Sequence, residues 1–211
     1  ITEQLDHAIG GGSLTYESVF NEGRSRLSLY GSGQHTSRAS YYGGNGGDPE
    51  MTAEAARFYG NTSDAIFVGG GQFSHAITSL FGPSAVLVAG SEYQYNTVRD
   101  AMPGYQRQID QTTGDLGTYA QLQIAPGEPL SVALGARLDW LRINGRYQYE
   151  SQLTAPDVRT FVVVNPRLSV IGQLTEALSW RVGYASGFRG PQAFDEDFHL
   201  STLSGEARLV Q

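Results

Sequence analysis

Apolar and polar residues alternate with period two along 178–187. Leu178, Trp180, Val182 and Tyr184 share one face; Ser179, Arg181, Gly183, Ala185 and Gly187 share the other. Such alternation predicts a strand with one apolar side. The stretch 160–174 reads as its hairpin partner, with a short turn at Thr175, Glu176 and Ala177 and a Gly-Phe-Arg-Gly-Pro corner at 187–191. The cleanest strand is 130–150. Val132, Leu134, Ala136, Leu138 and Trp140 fall on one side of it, Ser131, Ala133, Gly135, Arg137 and Asp139 on the other. The second face of both strands lacks the Lys/Glu coat of a soluble sheet. Small residues and arginine suit a crowded polar lumen, which leaves the apolar face for lipid.

Further strands are predicted at 14–20, 24–42, 65–77, 85–99 and 116–125. Asn21-Glu22-Gly23, Phe81-Gly82-Pro83-Ser84 and Pro126-Gly127-Glu128-Pro129 supply short turns. The stretches 43–64, 100–115, 151–159 and 192–211 read as longer loops, the first glycine-rich with room for a short helix at 49–59. Short and long connections thus alternate, as periplasmic turns and extracellular loops do in outer-membrane barrels. The strands reach the roughly 9–11 tilted residues that cross a bilayer, against about 5–6 in soluble proteins. The expected fold is all-β, an antiparallel meander of about eight long strands, with 1–211 as a single unit.

Composition narrows the function classes. The net charge of -7 argues against a nucleic-acid partner. With no cysteine there is neither a disulfide framework nor a thiolate metal site. No run of about 18 apolar residues predicts a transmembrane helix, and no signal peptide is recognisable at the start. Transmembrane barrels share this modest hydropathy, because polar lumen residues dilute the lipid-facing ones.

Several stretches resemble the barrel of TonB-dependent outer-membrane receptors. They are Asn165-Pro166-Arg167-Leu168-Ser169, the turn at Thr175, and Tyr184-Ala185-Ser186-Gly187-Phe188-Arg189-Gly190-Pro191. Upstream, Leu116-Gly117-Thr118-Tyr119-Ala120-Gln121 and Ala133-Leu134-Gly135-Ala136-Arg137-Leu138-Asp139 resemble the preceding family hairpin. Gly190 stands where the family more often has alanine. The resemblance covers most of the chain and is strongest over 116–199. It implies a transmembrane β-barrel of about 22 strands, of which this chain would be an internal segment without plug domain or TonB box. The expected form is an open curved sheet, since so few strands cannot close at the parent's tilt and shear. The resemblance also implies uptake of a scarce nutrient such as a ferric siderophore, energised by TonB through a plug, in the outer membrane of a Gram-negative bacterium. The expected partners are TonB, the siderophore or another large nutrient, and outer-membrane lipid. Two alternatives stay open: a passive porin-like channel, and a soluble β-sandwich binding module in which Val132, Leu134, Leu138 and Trp140 would form a core.

Candidate ligand-facing residues are Arg137, Asp139, Arg167, Arg181 and Arg189. A structural role, pairing with each other or with a plug, competes with ligand binding at the first four, and a corner-stabilising role at Arg189. Tyr93, Tyr95, Trp140, Tyr147, Tyr149, Trp180 and Tyr184 fit either an interfacial girdle or ordinary strand positions. Tyr41, Tyr42, Phe58, Tyr59 and Tyr105 are loop aromatics that either grip a ligand or pack on each other. The carboxylate run Asp195-Glu196-Asp197 lacks the separated pair that acid/base catalysis needs, and no nucleophile–base set supports an enzyme. His7, His35, His75 and His199 lack metal-ligand spacing, and no cofactor is expected. Gly69-Gly70-Gly71 lies within a strand, with no lysine after it to make a phosphate loop. It predicts close packing or a bend.

Overall fold

The structure, a computed structural model, describes residues 2–43, 59–77, 84–127, 129–149, 152–153, 157–188, 190, 200–201 and 208–209. Its strands are β1 (Thr2–Phe20), β2 (Ser25–Gly43), β3 (Tyr59–Ile77), β4 (Ser84–Met102), β5 (Arg107–Gly127), β6 (Leu130–Tyr149), β7 (Gln152–Leu153), β8 (Asp157–Thr175), β9 (Leu178–Ala185), β10 (Leu200–Ser201) and β11 (Arg208–Leu209). One antiparallel sheet runs in the order β1-β2-β3-β4-β5-β6-β8-β9, with β7 beside the end of β6. β10 and β11 pair separately. Among the described residues neither β1 nor β9 has an outer partner, so the sheet is open, as expected.

The strands extend well beyond their predicted starts on the long-loop side. Residues 100–115 were expected as a loop, yet β4 runs to Met102 and β5 starts at Arg107, joined by a 3-10 turn at Pro103–Tyr105. Met102 pairs with Arg107. β1 likewise begins at Thr2 rather than at residue 14. These extensions carry no continuous apolar face, with Leu5, Ile9 and Ile109 scattered among polar residues and glycines, so the period-two signal fades where water replaces lipid outside. The expected helix at 49–59 lies outside the described residues except Tyr59, which opens β3. The turn at 81–84 (Ser84 apart), Asp195-Glu196-Asp197 and most of the loop expected at 192–211 also lie outside them; 200–201 and 208–209 of that stretch pair as β10 and β11 instead.

The turn between β1 and β2 follows from its residues. Glu22 and Gly23 have φ of 57° and 85°, and Arg24 N–H donates to the Asn21 carbonyl at 3.0 Å. Two central residues with positive φ match the hand of twisted strands.

The two faces differ in burial. Leu134, Leu138 and Trp140 point outward, 62%, 47% and 54% exposed, while Asp139 and Leu141 between and beside them are 7% and 4% exposed on the inward face. Curvature crowds the inward side chains. Register aligns the outward ones into rows: Leu87, Leu122, Leu134 and Leu168 are successive cross-strand partners, and so are Ala89, Ala120, Ala136 and Pro166. Nothing among the described residues covers this face as a second layer, so it is no sandwich core. In water, exposure of such a surface costs about 25 cal/mol per Å²; in hydrocarbon that cost vanishes. The sheet ladders satisfy the backbone, which a bilayer requires. The apolar run along β6, from Val132 to Trp140, has the length that a tilted strand needs to cross. Beyond it the same face carries Arg142, Asn144 and Arg146.

The candidate girdle divides accordingly. Tyr93, Tyr95, Trp140, Trp180 and Tyr184 are exposed on the outward face. Tyr147 sits on the inward one, its hydroxyl donating to Gln111 Oε1 at 3.1 Å. The glycine run at 69–71 is a close-packing device, as expected: a Cβ would meet Phe67 at Gly69, Tyr30 at Gly70 and Leu29 at Gly71.

Candidate functional site

The inward face is built around one transverse row. Tyr30, Gly70, Glu92, Gly117 and Asp139 are successive cross-strand partners on β2 to β6. Glu92 therefore has a glycine on each side. Tyr30 lies across Gly70 and donates its hydroxyl to Glu92 Oε2 at 2.6 Å. Arg137 lies across Gly117 and brings Nη2 to 3.7 Å from Glu92 Oε1. Its Nε donates to Asp139 Oδ1 at 2.5 Å, and Asn165 Nδ2 donates to Asp139 Oδ2 at 2.9 Å. A second tyrosine repeats the device: Tyr119 lies over its partner Gly90 and donates to Gln72 Oε1 at 2.8 Å. The result is a hydrogen-bonded belt from β2 to β8.

Two cavities flank the belt. One, of about 300 Å³, is polar and lined by His7, Arg38, Asp64, Asn96 and Gln111 among others. Burial pushes the Asp64 carboxyl above its ordinary range, against the opposing hydrogen bond from Asn96 and the charge of His35. The other, of about 660 Å³, is lined by Arg137, Asp139, Asn165 and Arg167 on the wall. Ser186 to Phe188 and Gly190, where the chain leaves β9, border its other side. Phe188 meets Phe161, ring centroids 6.0 Å apart. Asp115, Leu141 and Gly190 line both cavities.

The sequence candidates fall apart in this frame. Arg137 pairs with both Asp139 and Glu92. Arg167 lines the larger cavity, exposed, with no ion pair among the described residues. Arg181 is exposed on edge strand β9, lines neither cavity and has no ion pair among the described residues. Arg189 lies outside the described residues. Tyr30, Glu92 and Asn165 were missed. A glycine opposite a long polar residue is visible only once register is known. Of the loop aromatics, Tyr41, Tyr42 and Tyr59 belong to β2 and β3, Tyr105 to the 3-10 turn, and Phe58 lies outside the described residues. No group of histidines and carboxylates among the described residues has metal-binding geometry. His75 accepts or donates a bond at Nδ1 with Ser25 Oγ, 2.8 Å away.

Residues 4–205 match the family described as TonB dependent receptor-like, beta-barrel. The chain belongs to this family. It is an outer-membrane β-barrel chain of a family of receptors and transporters rather than enzymes. No curated protein sequence matches it. Among solved structures it is similar to the open form of the ferric-catecholate import receptor Fiu of E. coli K12, with a TM-score of 0.67 and 12% identity over 86% of this chain and 35% of that one. The alcaligin outer-membrane receptor FauA of Bordetella pertussis gives 0.66 and 12% over 87% of this chain and 29% of that one. The chain thus spans about a third of the length of these structures.

Proposed function

We propose that this TonB-dependent receptor barrel chain forms wall and ligand-facing lumen for uptake of a ferric siderophore or another scarce large nutrient, with energy delivered by TonB to a plug. The observation that carries this reading is the larger inward cavity with Arg167 at its edge. Arg137 pairs with both Asp139 and Glu92, so these three hold the wall's shape. Arg167 keeps its cation available for an anionic chelate, and a planar guanidinium suits the oxygen donors of such a ligand. The names of Fiu and FauA support the same ligand class.

The test is uptake of radioactive iron by cells whose only siderophore receptor is the full-length protein. Ferric catecholates and ferric alcaligin are supplied in turn. Uptake that stops when an uncoupler collapses the proton gradient supports the reading, with Arg167→Gln lowering uptake several-fold. Uptake that persists with uncoupler means a passive channel. No uptake of any ferric chelate overturns the siderophore assignment.

A further inference from the structure

The smaller inward cavity holds acceptors that the fold leaves unmet. Asn96 hydrogen-bonds the Asp64 carboxyl through its amide nitrogen, which leaves Asn96 Oδ1 buried without a partner. On the next strand Asp115 Oδ1 is buried and unpartnered as well. Asp115 pairs with Gln94, two residues before Asn96, so the two oxygens belong to diagonal neighbours about 7–8 Å apart at the backbone. Both residues line the cavity of about 300 Å³. Among the described residues no donor reaches either oxygen. Gln111 uses its amide nitrogen on Thr113 Oγ1 and its oxygen on the Tyr147 hydroxyl. Arg137 is held by Asp139 and Glu92. His7 and Arg38, the basic residues of the lining, are cross-strand partners at its far end. Arg38 stands six residues along β2 from Ser32, which shares the row of Asp115, about 20 Å of strand, and its Nη2 donates to Thr62 Oγ1. A buried acceptor without a donor is costly, so the pair calls for a donor from outside the wall.

We infer that these two oxygens bind a primary ammonium group, and that the transported ligand is a chelate of mixed charge, with an anionic core beside Arg167 and a cationic alkylamine arm in the smaller cavity. The inference rests on the uptake reading above and names the substrate class within it. An ammonium carries three N–H donors and a charge. Asn96 Oδ1 and Asp115 Oδ1 accept two of them, and the Gln94 side chain, in the row of Asp115, accepts the third. Charge selects the same occupant, because Asp64 and Asp115 line this part of the cavity and Arg38 only its far end. A metal ion fits less well. A hard cation takes about six to eight oxygens, and no group of three histidines or carboxylates among the described residues has metal-binding geometry. The two cavities adjoin, since Asp115, Leu141 and Gly190 line both. Arg167 pairs with Gly135 and Asp115 with Leu141, six residues further along β6, about 20 Å of strand. Side chains reaching in from both ends shorten that to the span of a chelate with one extended arm.

The test is binding to the full-length receptor in detergent, followed by quenching of tryptophan fluorescence. The probes are a synthetic ferric tris-catecholate and a ferric tris-hydroxamate, each carrying an aminopentyl arm, and the same two chelates with that amine acetylated. Acetylation removes the charge and two of the three donors and leaves the iron centre unchanged. Expected is an affinity about tenfold higher for the free amine in at least one pair, the worth of a charge-assisted hydrogen bond. In Asp115→Asn most of that advantage is lost, while the acetylated chelate binds as it does to the wild type, which also shows that the variant is folded. Asn96→Leu, which removes the other acceptor, gives the same loss. Equal affinity within both pairs overturns the ammonium site and leaves the uptake reading standing. Binding of none of the four chelates overturns the uptake reading and this inference with it. Calcium that binds the wild type but not Asp115→Asn, with no difference between amine and acetylated chelates, reassigns the oxygens to a metal ion.

Discussion

Tyr30 reaches Glu92 across 62 positions of sequence by lying flat over Gly70, the residue that separates them in the sheet. A Cβ on Gly70 would stand 2.7 Å from the phenol oxygen and 2.9 Å from the Ser91 carbonyl oxygen. The ring can swing away, but the carbonyl belongs to the neighbouring strand. Gly70→Ala is expected to destabilise by about 2 kcal/mol through overpacking, and Tyr30→Phe by about 1 kcal/mol through one lost hydrogen bond. Gly12, with open space around its Cα, is the control. Urea midpoints of the full-length receptor in detergent check the order. A Gly70→Ala midpoint equal to that of Gly12→Ala contradicts the belt geometry.

Arg137 is the cation that Glu92 and Asp139 share. Removing it strands two carboxylates on the inward face, one of them in a buried residue. Arg137→Gln is therefore expected to cost about 2 kcal/mol, less than a fully buried pair because the guanidinium is one-third exposed. In Arg137→Gln/Asp139→Asn part of that loss returns, since one stranded charge is gone. A double-mutant cycle on the same midpoints measures it, and strict additivity of the two changes excludes a shared pair.

Much of the wall was legible in the sequence, and the reason is lipid. Where one face meets hydrocarbon, as from Val132 to Trp140, alternation is forced and the strand is plain. Where neither face meets hydrocarbon, as at Gln108 to Thr113, nothing forces it, and that first part of β5 read as a loop. The site was legible only in part for a different reason. Arg137 and Asp139 sit two apart on one strand, so their shared face shows directly. Glu92, Tyr30 and Asn165 come from other strands, and only the register of the sheet places them in the belt. The run Gly69-Gly70-Gly71 signalled close approach without naming what approaches.

Asp64 gives a pH signature outside the membrane-spanning part of β3. Burial raises its folded carboxyl above the ordinary aspartate value, so the folded state binds the proton more tightly than the unfolded chain. Its contribution to stability is then largest once pH falls below the unfolded value and is lost as pH rises through the folded value. Asp64→Asn, neutral throughout, should flatten that portion of the curve of midpoint against pH in the acidic range. An unchanged curve means that Asp64 is as solvated in the fold as in the unfolded chain.

The outward face of β6 sets a depth scale that arginine scanning can read. At Leu134, within the apolar run, an arginine should cost about 2–4 kcal/mol; at Trp140, on the girdle, about 0–1 kcal/mol. At Asn144, among Arg142 and Arg146, it should cost nothing measurable. Ala133→Arg provides the orthogonal check, because it neighbours Leu134 in sequence but points inward, where a polar lumen tolerates charge. Unfolding midpoints in lipid vesicles should therefore fall steeply for Leu134→Arg and little for Ala133→Arg. If the two fall equally, the side chains of β6 do not alternate between lipid and lumen, and the assignment of every inward residue, Arg137 and Asp139 included, is lost with them.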